Sequence, residues 1–443
     1  MSETTGPQPE AVPEGATRAG EIHRRWWWVE PTVWTERMLT ALDEGVKGGR
    51  WYSLMDKVHP ERNLLAAFAR VAANKGAAGV DHVTVTMFTA RLDENVKNLD
   101  DALRTGTYRP QAIRRHDIPK PGSQERRPLG IPTVRDRVVQ TALRQVLEPI
   151  FERDFAAHSY GFRPGRGCKD ALRRVDELLK SGYTTIVDAD LKGYFDTIPH
   201  DRLLALVGKK VSDGRVLSLI EAFLNQGVLD GLEQWTPTQG TPQGAVVSPL
   251  LSNIYLDPLD HLMAETGFEM VRYADDFVIL CRNAEDAARA LETVRRWTAQ
   301  AGLTLHPDKT RIVNATTESF DFLGYRFEDG TRRPRPQSLA KFKDSIRTKT
   351  KRTSGNSLSR IIATLTPTLR GWFGYFQHSQ KRTFATLDGW IRMRLRSILR
   401  RRAGLRGRGR GADHHRWPNA FFTDQGLFSL QAAHALARQS SLR

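Results

Sequence analysis

Apolar and polar residues alternate with two different periods along this chain, and the places where the period changes outline its parts. Tyr183 to Leu191 is a short apolar run, interrupted by Asp188 and closed by Asp190, and reads as a buried strand ending in carboxylates. Val271-Arg272-Tyr273 and Phe277-Val278-Ile279-Leu280 flank Ala274-Asp275-Asp276, which gives a strand, a tight turn carrying Asp275 and Asp276, and a second strand. Between these, Pro199 is placed to open a helix running to about Lys209, and Ser248 caps another with Pro249 at its first position. Leu250, Leu251, Ile254 and Leu262 share one face of that second helix, in which Pro258 predicts a kink. Asn283 caps a helix that Gly302 stops, with Leu291, Val294 and Trp297 toward the core, and strands follow through Ile312-Val313 and Phe320 to Phe327. Residues 183–313 thus read β, α, α, β, β, α, β: an α+β unit with helices on one face of an antiparallel sheet. Both carboxylate groups are expected on adjacent strands at its open edge.

Upstream, residues 1 to about 22 mix Pro, Glu, Thr and Gly without a period and are expected to be disordered. Trp26, Trp27 and Trp28 cannot all face one core, so at least one is expected on a neighbouring surface or a base, unless they simply anchor the N-terminal arm. Helical spacing recurs from Pro31 to Leu54 and from Ala66 to Ala73, stopped at Asn74-Lys75-Gly76. Ile113 to Thr133 reads as strand, turn and strand, and Arg135 to Phe151 as a helix. The Gly, Pro, Arg and aromatic loop Ser159 to Gly167 suits contact with a nucleic-acid backbone. Downstream, Leu358, Ile361, Ile362, Leu365, Leu369, Trp372, Phe373 and Phe376, then Leu387, Trp390, Ile391, Leu395 and Ile398, hold a helical period and predict a bundle. Its aromatic stripe is core, and its outer face is rich in Arg. Arg406 to Gly411 is a basic Gly-Arg tract, and Trp417 to Phe422 resumes the packed chain.

Charge sharpens this division. Residues 331–443 hold 25 Lys+Arg against 4 Asp+Glu, so the +17 of the 443-residue chain lies entirely in its last quarter. Such asymmetry, with Arg over Lys and aromatics interleaved, favours a nucleic-acid partner over a membrane surface. The length implies several subdomains. No apolar run approaches a bilayer span, and Cys168 and Cys281 fit neither a disulfide framework nor a zinc module. A reduced, cytoplasmic location is therefore expected.

Adjacent carboxylates repel unless solvent or hard cations neutralise them, so Asp275 and Asp276 on one turn are candidate Mg²⁺ ligands, with Asp190 placed to complete the site. Asp188 and Asp196 read instead as cap or turn residues. The cations of the 113–133 hairpin could grip a triphosphate.

The order of these blocks resembles that of group II intron reverse transcriptases. It is carried by Asp190-Leu191-Lys192-Gly193-Tyr194-Phe195-Asp196, Thr241-Pro242-Gln243-Gly244, Tyr273-Ala274-Asp275-Asp276, His306-Pro307-Asp308-Lys309-Thr310 and Phe322-Leu323-Gly324-Tyr325. Lys120 to Thr133 and Ser159 to Gly165 resemble its fingers blocks, and Leu369 to Phe376 its maturase (thumb) region. The C-terminus, with Trp417-Pro418-Asn419 and no paired cysteines or HNH-like cluster after 400, is most similar to bacterial class C members, which lack the endonuclease domain. Ala245 and Val247 depart from the family's usual Gly and Leu.

The resemblance implies an α+β right-hand polymerase: a disordered extension (1–30), N-terminal helices and fingers (31–182) and a ferredoxin-like palm (183–330). A helical thumb/maturase region (331–400) and a basic C-terminal segment (401–443) complete it. It implies an RNA-directed DNA polymerase with Asp190, Asp275 and Asp276 as catalytic carboxylates, and two Mg²⁺ held by Asp190, Asp275 and the Leu191 carbonyl. Lys120 and Arg127 would clamp the triphosphate, with Arg126 competing for the second role. Phe195 would exclude a 2′-hydroxyl, Gln243 would lie against the incoming dNTP, and Lys309 would protonate pyrophosphate. Arg163, Tyr273, Arg370, Arg400, Arg401, Arg402, Arg406, Arg408 and Arg410 are the expected nucleic-acid contacts. The implied partners are group II intron RNA, an RNA template with a DNA primer, and a DNA target at the bacterial nucleoid, with no membrane. A host-adapted reverse transcriptase without an intron, or an RNA-binding splicing cofactor with a vestigial palm, are the competing readings.

Overall fold

A computed structural model describes residues 21–119, 126–328, 330–405 and 411–440. The expectation of disorder for 1–20 lies outside this range. From residue 21 the expectation is corrected: residues 21–25 are helical, and Ile22 and Trp26, one helical turn apart, are buried in the N-terminal core. Trp28 packs beside Trp26 with ring centroids 5.9 Å apart, while Trp27 is 71% exposed, so the three rings divide between core and solvent.

Helices Met55–Val58, Glu61–Ala73 and Leu92–Thr105 gather around the long helix Val134–Glu152, most of whose residues are buried. Strands β1 (Ile113–Pro119) and β2 (Arg126–Ile131) form the expected antiparallel hairpin ahead of it. Strand β3 (Thr185–Asp190) follows the helix Cys168–Lys180. After helices His200–Gly208 and Gly214–Leu224 come β4 (Val228–Asp230) and β5 (Glu233–Trp235). The expected strand order of 183–313 omitted this hairpin. It belongs to the fingers, because β4 adds in parallel to the free edge of β1, Ile113 opposite Val228.

Strands β6 (Glu269–Tyr273), β7 (Asp276–Cys281) and β8 (Arg311–Asn314) complete an antiparallel sheet in the order β6-β7-β3-β8, the ferredoxin-like arrangement. Two expectations are corrected here. The carboxylate-bearing strands β3 and β7 are central, not at the open edge. Both faces of the sheet are covered: Val187, Ala189, Phe277 and Ile279 meet the helices Ser248–Glu265 and Ala284–Gln300. Ile186, Val278 and Leu280 meet the helix Cys168–Lys180 and a small sheet of β9 (Phe320–Phe322), β10 (Tyr325–Glu328) and β11 (Thr331–Pro334). Asn283 caps its helix as expected, accepting from the Asp286 N–H at 2.8 Å. Ser248 does not cap: it is the first helical residue, Val247 holds the cap position, and the helix runs through Pro258 to Glu265.

The last quarter is the expected helical bundle, built on Pro336–Lys349, Leu358–Phe376 and Lys381–Arg402, with the aromatic stripe packed inside. The boundary expected at 401 is not structural. Phe422, Leu427 and Leu430 bury into the same core, and the helix Leu430–Ser440 is held at its start by Asp388, 3% exposed. That carboxylate accepts from the Ser429 hydroxyl (2.7 Å) and from the N–H groups of Leu430 (3.1 Å) and Gln431 (3.2 Å), satisfying donors a helix start leaves open. Replacing Asp388→Ala is expected to lower unfolding free energy by about 1–2 kcal/mol, read as a lower urea midpoint at unchanged slope.

Candidate active site

The site begins with side-chain parity. On a strand, alternate residues share a face, so Asp188 and Asp190 lie on the same side of β3 as Ile186, and Asp276 on the same side of β7 as Val278 and Leu280. One sheet face is thus apolar along its length and acidic at one end. Asp190 stands opposite Asp276 in the β3–β7 register, and Asp275 occupies the β6–β7 turn beside them.

The turn itself is strained: Ala274 has φ +60°, a left-handed conformation that side chains rarely adopt. What holds it is Arg272, fully buried beneath it. Its guanidinium donates to the Ala274 carbonyl (2.8 Å), to Asn253 Oδ1 (3.0 Å) and, through Nε at 2.7 Å and through Nη2, to the Asp260 carboxylate. Burial works against the Arg272 charge, but Asp260 outweighs this and raises its pKa. The 158–161 loop backs the same turn. Arg272 N donates to His158 O (3.0 Å), Tyr160 N to Arg272 O (2.9 Å), and Asn253 Nδ2 to Gly161 O (2.8 Å). A Cβ at Gly161 would overlap the Ala274 backbone nitrogen, so only glycine permits this approach.

Electrostatics mark the result. Loss of solvent raises the pKa of Asp275, partly offset by its own backbone N–H and by Arg127, while Asp190 adds to the rise. Asp276 is pushed up to about 6, first by desolvation and then by the charges of Asp275, Asp190 and Asp188. Lys309 Nζ lies 2.6 Å from Asp190 Oδ2. Asp188 is neither cap nor turn, correcting the expectation: it lies within β3 and pairs with Arg311 at 3.5 Å. Among the described residues no group of three His, Cys, Asp or Glu is gathered to hold a metal ion. The donor chemistry still fits a hard divalent cation, being mutually repelling carboxylate oxygens on adjacent strand ends.

Beside the carboxylates, a cavity of about 300 Å³ is walled by Leu129, Phe195, Asp196, Trp235, Thr241 and Gln243. The loop carrying Gln243 is fixed from both sides: Thr241 N donates to Phe195 O, and Gly130 N to Gln243 O, each at 2.6 Å. Gly244 has φ +108°, and a Cβ there would overlap the Gly130 carbonyl. Arg127 Nε donates to Gln243 Oε1 (2.8 Å), and Gln243 Nε2 reaches both Asp196 carboxylate oxygens at 3.4 Å. Asp196, expected as a cap or turn residue, therefore ends a polar chain that starts at Arg127. This chain also separates Arg127 from Arg126, which is exposed at the register of Pro119. Lys120 lies outside the described residues. Leu191 bridges to Leu305 through its backbone, next to Asp190.

The expected nucleic-acid contacts divide. Arg163 is corrected: its side chain is 2% exposed, pairs with Glu152 (2.8 Å) and donates to the carbonyls of Ala156 (2.6 Å) and Ser159 (2.8 Å), folding the 159–167 loop instead of meeting a ligand. Arg400 pairs internally with Asp413 at 2.9 Å, also against expectation. Tyr273 is half-buried. Arg370, Arg401 and Arg402 are exposed, though Arg370 rests on the Phe428 ring and Arg402 donates to the Asn356 carbonyl. Arg406, Arg408 and Arg410 fall outside the described residues. Sequence reading missed Arg272, Asp260 and Asn253. An arginine inside an apolar strand was the available signal, but its partners lie on another helix.

Residues 118–327 match the family described as reverse transcriptase (RNA-dependent DNA polymerase), and residues 339–417 match the group II intron maturase-specific domain. Protein YkfC of Escherichia coli K12 is 36% identical over 305 residues, 59% of this chain and 79% of that protein. The group II intron-encoded protein LtrA of Lactococcus lactis subsp. cremoris is 40% identical over 208 residues, 46% of this chain but 34% of that protein, so the match spans about a third of LtrA. Among solved structures, a Candida albicans telomerase in complex with an RNA fragment aligns over 72% of this chain and 65% of its own at 14% identity, with a TM-score of 0.40. No helix among the described residues is long and apolar enough to cross a membrane.

Because Asp276 holds its proton more tightly folded than unfolded, its charge destabilises the fold in full above about pH 6, and this penalty fades as pH falls from there and is gone only below the ordinary carboxyl pKa of 3.8, where both states are protonated. In metal-free buffer Asp276→Asn is therefore expected to raise Tm at pH 7.5 and to approach the parent below about pH 3.8, by calorimetry at both pH values.

Proposed function

The chain belongs to the group II intron reverse transcriptase and maturase family, and from that premise we propose that it extends a DNA primer on an RNA template by metal-assisted nucleotidyl transfer. We further infer that it uses its basic bundle to bind a group II intron RNA, promoting splicing and retrohoming into a DNA target. One observation carries the polymerase reading: Asp190 and Asp276 in register on central strands, with Asp275 on a turn fixed from below by buried Arg272.

Asp190 and Asp275, with the Leu191 carbonyl, would hold two Mg²⁺, and Asp276 would tune their charge. Such ions, when bound, supply a more acidic primer 3′-hydroxyl and neutralise the departing pyrophosphate. The protein's own groups do the rest. Arg127, tethered through Gln243, offers its guanidinium to the triphosphate, and Lys120 would add a second cation. Gln243 positions the nucleotide against the cavity wall. The Phe195 ring, 8% exposed and fixed edge-on against Tyr194 at 5.4 Å, would clash with a ribose 2′-hydroxyl, so dNTPs are the substrates. Lys309 can deliver a proton to pyrophosphate from beside Asp190. Arg370, Arg401 and Arg402 keep exposed positive charge for the RNA backbone. Retention of three repelling carboxylates supports polymerase activity over a purely RNA-binding role.

Primer extension with dNTPs and Mg²⁺ on an RNA template tests this. Asp275→Asn is expected to abolish extension while leaving Tm no lower than the parent's and salt-sensitive RNA binding intact. Extension by that variant would sink the metal-ligand assignment, and a folded parent that binds RNA but never extends would favour the splicing-cofactor reading. Phe195→Ala is expected to lower discrimination against ribonucleotides by at least about tenfold, on the scale of a lost bulky contact. Unchanged selectivity would remove the gate from Phe195.

A further inference from the structure

The loop that presents Gln243 has a second side. Val246, three residues on, lines another cavity, of about 200 Å³, between the helices Glu61–Ala73 and Val134–Glu152. Arg137, Arg144, Gln145 and Glu148 are on its wall, with Arg70 across from them on the shorter helix. Gln140 ties the loop to the long helix by accepting from Val246 N at 2.7 Å, so this wall is rigid.

The hydrogen bonding of the wall does not close on itself. Gln145 is 4% exposed and donates to Asn63 Oδ1 (2.7 Å), yet its Oε1 has no donor. A buried acceptor left this way forfeits its hydration with nothing in return. Arg137 donates through Nη2 to Ala77 O (2.6 Å), while its Nε is buried without an acceptor. Burial lowers the Arg137 pKa, and Asp81 alone opposes this. Arg144 pairs with Glu148 (2.6 Å) and Arg70 with Glu30 (3.1 Å). Glu148 is the one carboxylate among the described residues of the wall, and its ion pair with Arg144 offsets its charge toward an incoming anion.

A guest that satisfies both orphaned atoms must donate to Gln145 and accept from Arg137. A hydroxyl beside a phosphate does so, and that pair distinguishes RNA from DNA. Gln243 and Val246 can be at most ~11 Å apart along the chain, so this cavity lies behind the same loop that, on the polymerase reading, presents Gln243 to the incoming nucleotide. We propose that the cavity is a subsite for one ribonucleotide of the RNA template, whose 2′-hydroxyl donates to Gln145 Oε1 while its phosphate accepts from Arg137. This rests on the polymerase reading and adds a template-sugar preference to it.

The test uses the full chain with primer–templates whose RNA overhang carries a single 2′-deoxynucleotide, moved one position at a time ahead of the primer terminus. One position is expected at which the substitution weakens binding about three- to tenfold, the scale of one hydrogen bond. Gln145→Met is expected to lose that sensitivity while binding an all-DNA template as the parent does. Arg137→Gln should weaken both templates and reduce the salt slope by about one. A parent with no sensitive position, or a sensitivity that persists in Q145M, overturns the subsite and leaves a water in the cavity. Should Q145M fail to fold, the scan on the parent decides alone. A parent that binds these templates but extends none of them removes the polymerase reading, and the template subsite with it.

Discussion

The structure turns on a cation placed where cations are rarely tolerated. Arg272 is buried under the β6–β7 turn with no solvent, and only the joint presence of Asp260, Asn253 and the Ala274 carbonyl makes that burial tolerable. The consequence is directional. A fully satisfied guanidinium is geometrically demanding, so it holds Ala274 at positive φ and thereby fixes where Asp275 points. The helix Ser248–Glu265 supplies both side-chain partners, which makes it a scaffold for the carboxylates as well as a wall of the core.

Around that anchor, three distant stretches meet by backbone approach. Gly161 lets the 158–161 loop lie directly on the turn, and Gly244 lets the 239–247 loop lie directly on β2. Phe195 and Gln243 are joined through Thr241, so the proposed gate against ribonucleotides and the proposed nucleotide contact are held in one frame. The long helix Val134–Glu152 holds this loop from behind through Gln140, while Asp136 and Gln145 on the same helix bond Tyr108 and Asn63. The acidic end of the sheet works against stability, since desolvation and mutual repulsion raise Asp275 and Asp276 together. Repelling groups held on a rigid frame are a common feature of sites built to bind cations or to react.

The bundle in the last quarter follows a different logic. Its inside is aromatic and closed, its start-to-end packing is fixed by Asp388 under the helix Leu430–Ser440, and its excess charge is left outside. Arginines in such a sequence are not equivalent, however. Arg400 pairs with Asp413 and Arg396, 2% exposed, bonds the Trp417 carbonyl at 2.9 Å, whereas Arg401 faces solvent.

By itself the sequence determined the periodic and the local: the hairpin bearing Asp275, the strand ending at Asp190, the Asn283 cap, the helical bundle and the order of blocks that marks the family. These follow from side-chain parity, turn chemistry and helical spacing, which act over a few residues. What only the tertiary structure decided were pairings across long separations. Arg163 carries the same side chain in a loop as a nucleic-acid contact would, but Glu152 and three carbonyls enclose it. Asp196 gained a partner 47 residues away, Val228 joined β1 across more than a hundred, and Arg272 found Asp260 on a neighbouring helix. Whether a charged side chain meets solvent or a buried counter-charge depends on which surfaces pack together, and a local pattern of residues carries no information about that.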